Sequence, residues 1–163
     1  MVMTERDGSR DFDPLLGSWN FRLRRLVKPL SGSKEWVEFV GHSNCVSIWD
    51  GRGQLDELSV SSQSDGSRIN ALTIRLYNPG TQEWSIYFAN SNNPAFGTPQ
   101  KGKFANGRGV FLDRDIVNGF NVVVRWLWTD LETDTPKFEQ ALSADEGKTW
   151  EANWVTTQTR ERA

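Results

Sequence analysis

From Gly17 to Arg160 the chain alternates apolar and polar residues with a period of two, the pattern of half-buried strands and not of helices. Trp19, Phe21 and Leu23 alternate with Asn20, Arg22 and Arg24 in a first predicted strand over 17–28. A second, over 34–48, is long enough to need a bend, for which Gly41 is the candidate. Further strands are predicted over 54–62, 68–77, 82–89 and 101–105, between Asn106-Gly107 and Asn118-Gly119, and over 120–129, 137–143 and 149–160. The two Asn-Gly pairs are hairpin signals, because a type I′ turn needs positive φ at both central residues. Before the first strand, Asp13-Pro14-Leu15-Leu16-Gly17 reads as one short helical turn with Asp13 as N-cap, Pro14 as first helical residue and Gly17 as the stop. Residues 1–10 read as a flexible polar tail, and 11–163 as one domain.

Short turns join all these strands except across 90–100, where Asn90-Ser91-Asn92-Asn93-Pro94 and Gly97-Thr98-Pro99 break the rhythm. No crossover helix has room, so the sheet is antiparallel with sequence neighbours adjacent. Ten twisted strands in an open sheet leave two edges and a bare apolar face. Closure into an up-and-down barrel removes both, and a Greek-key sandwich needs longer connections than this chain has. The expected fold is therefore all-β, a single antiparallel barrel of about ten strands with a short N-terminal helical turn. The 90–100 loop is its expected rim.

Composition narrows the function. Eight Trp and nine Phe against two Tyr need a large core, a cavity or an interface to cover them. The formal charge is −2, with Lys and Arg spread along the chain, so no nucleic-acid partner is expected. No stretch is apolar enough for a membrane span, and residues 1–11 have no apolar run of a secretory signal. With Cys45 the single cysteine, no intrachain disulfide can form, and a cytoplasmic location is expected.

Leu16-Gly17-Ser18-Trp19 resembles the Gly-x-Trp signature of calycin-type barrels: the lipocalins, fatty-acid-binding proteins and nitrobindins. That resemblance implies a Trp closing the barrel floor under an Arg from the chain end, here Arg160. Residues 11–160 also resemble a group of bacterial proteins of that shape with no assigned activity, through Arg75-Leu76-Tyr77-Asn78-Pro79, Glu83-Trp84-Ser85-Ile86-Tyr87 and Glu139-Gln140-Ala141. The nitrobindin signature continues with glycines where this chain has Phe21, Leu23 and Arg25, and its C-terminal iron-ligating His has no counterpart here. No cofactor is therefore expected. Ser143-Ala144-Asp145-Glu146-Gly147-Lys148-Thr149-Trp150 resembles the Asp-box hairpin, which implies a turn between the last two strands and no catalysis.

No nucleophile–base set is legible. His42 is the only imidazole, no Gly-x-Ser-x-Gly elbow exists, and one His with one Cys makes a zinc site improbable. Parity assigns the large apolar residues of four strands to one face: Leu72, Ile74, Leu76; Trp84, Ile86, Phe88; Val122, Val124, Trp126, Trp128; and Trp150, Ala152, Trp154. By that parity Arg75, Arg125, Glu139 and Asn153 face outward, and Gln140 faces inward with Phe138 and Leu142. Trp19 and Trp150 are expected to be packing residues. The candidate ligand-binding set is His42, Glu57, Trp84, Tyr87, Trp126, Trp128, Gln140 and Trp154, around a small apolar or aromatic molecule. The alternatives are an isomerase- or cyclase-type enzyme in the same cavity, and a homo-oligomer that buries Val123 and Leu127.

Overall fold

The computed structural model describes residues 7–162. Ten strands form a closed antiparallel barrel in the order β1-β10-β9-β8-β7-β6-β5-β4-β3-β2, so every strand pairs with its sequence neighbours and β1 closes on β10. The strands are β1 (Gly17–Leu26), β2 (Trp36–Ile48), β3 (Gly53–Ser62), β4 (Arg68–Asn78), β5 (Glu83–Asn90), β6 (Gln100–Ala105), β7 (Arg108–Val117), β8 (Phe120–Thr129), β9 (Lys137–Ser143) and β10 (Glu151–Arg160). Both Asn-Gly pairs take positive φ at both residues, as their turns require. Gly41 lies where β2 presses against β3: a Cβ there would sit 2.0 Å from the Ser59 carbonyl oxygen, so only glycine fits.

The floor is built at the chain's two ends. Residues Asp13–Leu15 form a 3₁₀ turn whose N-cap position is Phe12, and Asp13 lies inside the turn with its carboxylate on Arg10 at 3.2 Å. That corrects the expectation of Asp13 as cap. The Trp19 indole donates to the Leu15 carbonyl at 2.8 Å, and the Arg160 guanidinium lies 4.1 Å over its ring. Arg160 also donates to the carbonyls of Leu16 and Pro14. Phe12, fully buried, is the plug: its ring packs on those of Trp84, Phe104, Phe111 and Trp128 at centroid distances of 5.0 to 5.8 Å. Of the expected tail, residues 1–6 lie outside the described residues. Asp7 and Gly8 lend their carbonyls to the Tyr77 hydroxyl and the Trp84 indole.

The opposite end is covered by two loops. Leu30, between β1 and β2, packs on Val122, Val124 and Leu142; its amide donates to Glu151, and Asn118 donates to the Pro29 carbonyl. The β5–β6 loop is fastened by Phe96 against the Tyr87 ring and by Thr98 on Asp113. The last hairpin is held by Asp145, which accepts from the amides of Lys148 and Thr149 and from the hydroxyls of Ser143 and Thr149. Those bonds, the Thr149 hydroxyl first, hold its carboxyl down at about 2.

Two strands depart from the parity expected for them. On β4 the buried row is Ile69, Ala71, Arg75 and Tyr77, while Leu72, Ile74 and Leu76 lie on the outer face. The register explains it: Tyr77 stands opposite buried Trp84, and Arg75 opposite buried Ile86 and Gln54. Ile74 is shielded outside by its neighbours Leu55 and Tyr87. On β10 the register shifts between Ala152 and Trp154. The shift leaves Trp154 inside opposite Gln140 but puts Ala152 opposite Ala141 and turns Trp150 outward under the Arg125 guanidinium, 4.3 Å away. Asn153, expected outside, is buried at the bulge.

Candidate functional site

Above the Phe12 plug the barrel holds a partly open chamber of about 170 Å³. Its walls are Phe21, Leu58, Phe88, Trp126, Trp128, Phe138 and Trp154, with Asp56, Thr73, Arg75, Gln140 and Thr156 as the polar members. The aromatic walls brace one another: Trp126 meets Phe138 edge-on at 5.5 Å and Phe88 at 6.2 Å, and Trp128 lies 4.7 Å from Phe138. Such edge contacts fix ring orientation, so the chamber is preformed.

Gln140 sits between Trp126 and Asn153. Its carbonyl oxygen accepts from the Trp126 indole at 2.7 Å, and its amide donates to Asn153 at 3.3 Å. Phe88, Trp126 and Gln140 also line a second, more polar compartment of about 340 Å³, which extends under the β5–β6 loop to Thr98, Gln100, Asp113, Arg114 and Asp115. These three side chains are thus the partition between the aromatic chamber and the covered end.

The feature that sequence reasoning missed is Arg75, which is 2% exposed. Its Nη2 donates to Asp56 at 3.1 Å, and its Nη1 to Gln54 at 3.1 Å and toward the Cys45 sulfur at 3.7 Å. Gln54 in turn donates to the Phe12 carbonyl at 2.8 Å, tying the arginine to the plug. The guanidinium carbon lies 5.1 Å from the ring centres of both Phe12 and Trp128. A buried cation needs such a partner: Asp56, whose side chain is 13% exposed, balances its charge within the wall. Burial pushes the neighbouring Cys45 thiol up to about 11, against the pull of Arg75 and with the help of Asp56, so it is a neutral thiol at ordinary pH.

Three polar atoms of the chamber's lining residues have no hydrogen-bond partner in the protein: Arg75 Nε, Trp128 Nε1 and Thr156 Oγ1. Buried polar groups are seldom left so, and two of the three can only donate.

Of the eight residues expected at the site, Trp126, Trp128, Gln140 and Trp154 meet in the chamber. Trp84 is buried one level lower, against Phe12 and Tyr77, with its indole on Gly8. The other three are outside the barrel. His42 is exposed, with Nδ1 3.8 Å from a Glu161 oxygen. Glu57 is exposed opposite Asn44 and Leu72, and Tyr87 packs on the loop residue Phe96. Strand parity decides all three, since the inward neighbours of Glu57 on β3 are Asp56 and Leu58. Among the described residues no three His, Cys, Asp or Glu side chains come together as a metal would need, and no helix is long and apolar enough to cross a membrane.

No family model matches the chain, and no curated protein does. Among solved structures the chain is similar to Rv2717c from M. tuberculosis, at 14% identity and a TM-score of 0.63, over 95% of this chain and 98% of that one. It is also similar to the S-type phycobiliprotein lyase CPES from Guillardia theta, at 10% identity and a TM-score of 0.61, over 93% and 91% of the two chains. At these identities the likeness is one of fold.

Proposed function

We propose that this protein binds a small, largely apolar, planar organic molecule in the aromatic chamber. The observation that carries the reading is the 170 Å³ space walled by Trp126, Trp128, Trp154, Phe21, Phe88 and Phe138. An apolar cavity of about 150 Å³ takes up benzene, so this chamber suits a ligand of one or two rings. Small-molecule sites pair such apolar walls with a few placed polar groups, and Arg75, Thr156 and Gln140 supply them. The fold likeness to a phycobiliprotein lyase agrees, coarsely, with a ligand-binding barrel.

Titration with one- and two-ring aromatic compounds, followed through tryptophan emission, tests the reading. Saturable quenching at one molecule per chain is expected. Quenching that rises linearly without saturation for every compound removes it.

A second reading is favoured by the outer face of β7 and β8. Val110, Leu112 and Ile116 are 38%, 47% and 68% exposed, beside half-buried Val123 and Leu127. This strip fits a second copy of the chain, and light scattering that gives a monomer mass at high concentration excludes it.

A further inference from the structure

Resting on the chamber reading, we infer that the ligand carries a neutral hydrogen-bond acceptor, an aromatic carbonyl compound being the simplest class, and that Arg75 Nε and Trp128 Nε1 recognise it. Both groups belong to side chains more than nine-tenths buried, at 2% and 6% exposure, and both residues line the chamber. The guanidinium carbon is 5.1 Å from the Trp128 ring centre, so the two side chains that carry these donors are neighbours in the wall. Neither has an acceptor in the protein, although Arg75 spends its other nitrogens on Asp56, Gln54 and Cys45. An N–H of either kind cannot accept, so the complement is an acceptor on the ligand.

Charge decides which acceptor. Asp56 already neutralises Arg75 and is itself part of the wall, while the remaining lining residues are uncharged. A carboxylate entering the chamber would leave two negative charges facing one positive charge in a poorly hydrated space, which is costly. A carbonyl oxygen can accept from such donors without that penalty. Of the wall's other polar groups, the Gln140 oxygen is taken by Trp126, while the Thr156 hydroxyl, which can donate or accept, has no partner in the protein.

The test uses three probes of one shape and the full chain labelled with ¹⁵N. Acetophenone has the ring and the carbonyl; α-methylstyrene replaces the carbonyl oxygen by a methylene; benzoate replaces the methyl by a charged oxygen. Acetophenone is expected to bind at least ~10-fold more tightly than α-methylstyrene, the worth of a hydrogen bond to a charged donor. It is also expected to bind more tightly than benzoate and to move the Trp128 indole N–H resonance, identified by its loss in Trp128→Phe. Trp128→Phe keeps a ring in the wall, and in it the ratio of the acetophenone and α-methylstyrene affinities is expected to fall toward one. Equal affinities for acetophenone and α-methylstyrene in the unaltered protein overturn the inference and leave the apolar chamber standing. Tightest binding of benzoate overturns the neutral-acceptor assignment. Failure of all three probes to bind overturns both the inference and the chamber reading beneath it.

Discussion

The barrel places an arginine beside a tryptophan at two levels. At the floor, Arg160 lies 4.1 Å over Trp19, and both donate to backbone carbonyls of residues 14–16. One level up, Arg75 lies 5.1 Å from Trp128, more deeply buried, yet one N–H of each has no partner in the protein. The difference teaches what an aromatic–cation pair is for. Where backbone carbonyls accept from both side chains, the pair closes the barrel floor. Where the walls withhold acceptors, a donor of each side chain stays unmet, and under the proposed function a guest would supply the missing acceptor.

The largest effect expected from breaking this contrast is at Arg75. Arg75→Met strands the Asp56 carboxylate in the wall and is expected to cost ~3–5 kcal/mol in urea unfolding, whereas Arg75→Met with Asp56→Leu recovers most of that loss. A double variant as unstable as the single one would mean that the arginine's stacking on Phe12 and Trp128, and not its charge balance, holds the plug.

The matched tryptophan pair sharpens the comparison. Trp19→Phe leaves the Leu15 carbonyl without its donor and is expected to cost ~1–3 kcal/mol. Trp128→Phe removes a donor that has no partner, so its expected cost is below ~1 kcal/mol. Equal losses measured by the same unfolding curves would show that the two levels do not differ in the way described.

The smallest effect lies away from both levels, at the hairpin aspartate. Its carboxyl is held at about 2 in the folded chain against an ordinary 3.8. A depressed acid stabilises the fold above its unfolded value, and that contribution disappears as pH falls from about 4 toward 2. Asp145→Asn is therefore expected to lower Tm slightly at neutral pH and to flatten the acid limb of a Tm-against-pH series. An unchanged acid limb would assign the acid sensitivity to other carboxylates.

Much of the barrel was legible because its signals are local. The Asn106-Gly107 and Asn118-Gly119 turns take positive φ in the structure, and Gly17, at φ +113, leaves only 2.7 Å between a built Cβ and an Arg160 nitrogen. The pairing of Trp19 with Arg160, which the resemblance to calycin-type barrels implied, is present, because closure of β1 on β10 sets the two residues opposite each other. Half of the candidate site was legible too: Trp126, Trp128, Gln140 and Trp154 each lie on the face to which their strands' parity assigned them. Arg75 was not. Its strand carries apolar residues on both faces, and Leu72, Ile74 and Leu76 look like the buried row until the turn after Asn78 is counted. That turn sets Asn78 opposite Glu83 and so Tyr77 opposite Trp84, which carries Arg75 inside. Turn length was the available signal, and it outweighs hydropathy because one residue of slip exchanges the faces of a whole strand.

The sequence by itself determined where the strands lie, how they follow one another and that the barrel closes, because alternation, turn chemistry and edge avoidance act between near neighbours. Only the tertiary structure decided which face of β2, β3 and β4 points inward, that His42, Glu57 and Tyr87 stay outside, and that Arg75, Asp56 and Trp128 share one wall. Those outcomes depend on register summed around a closed ring and on the bulge in β10, and no single strand carries that information.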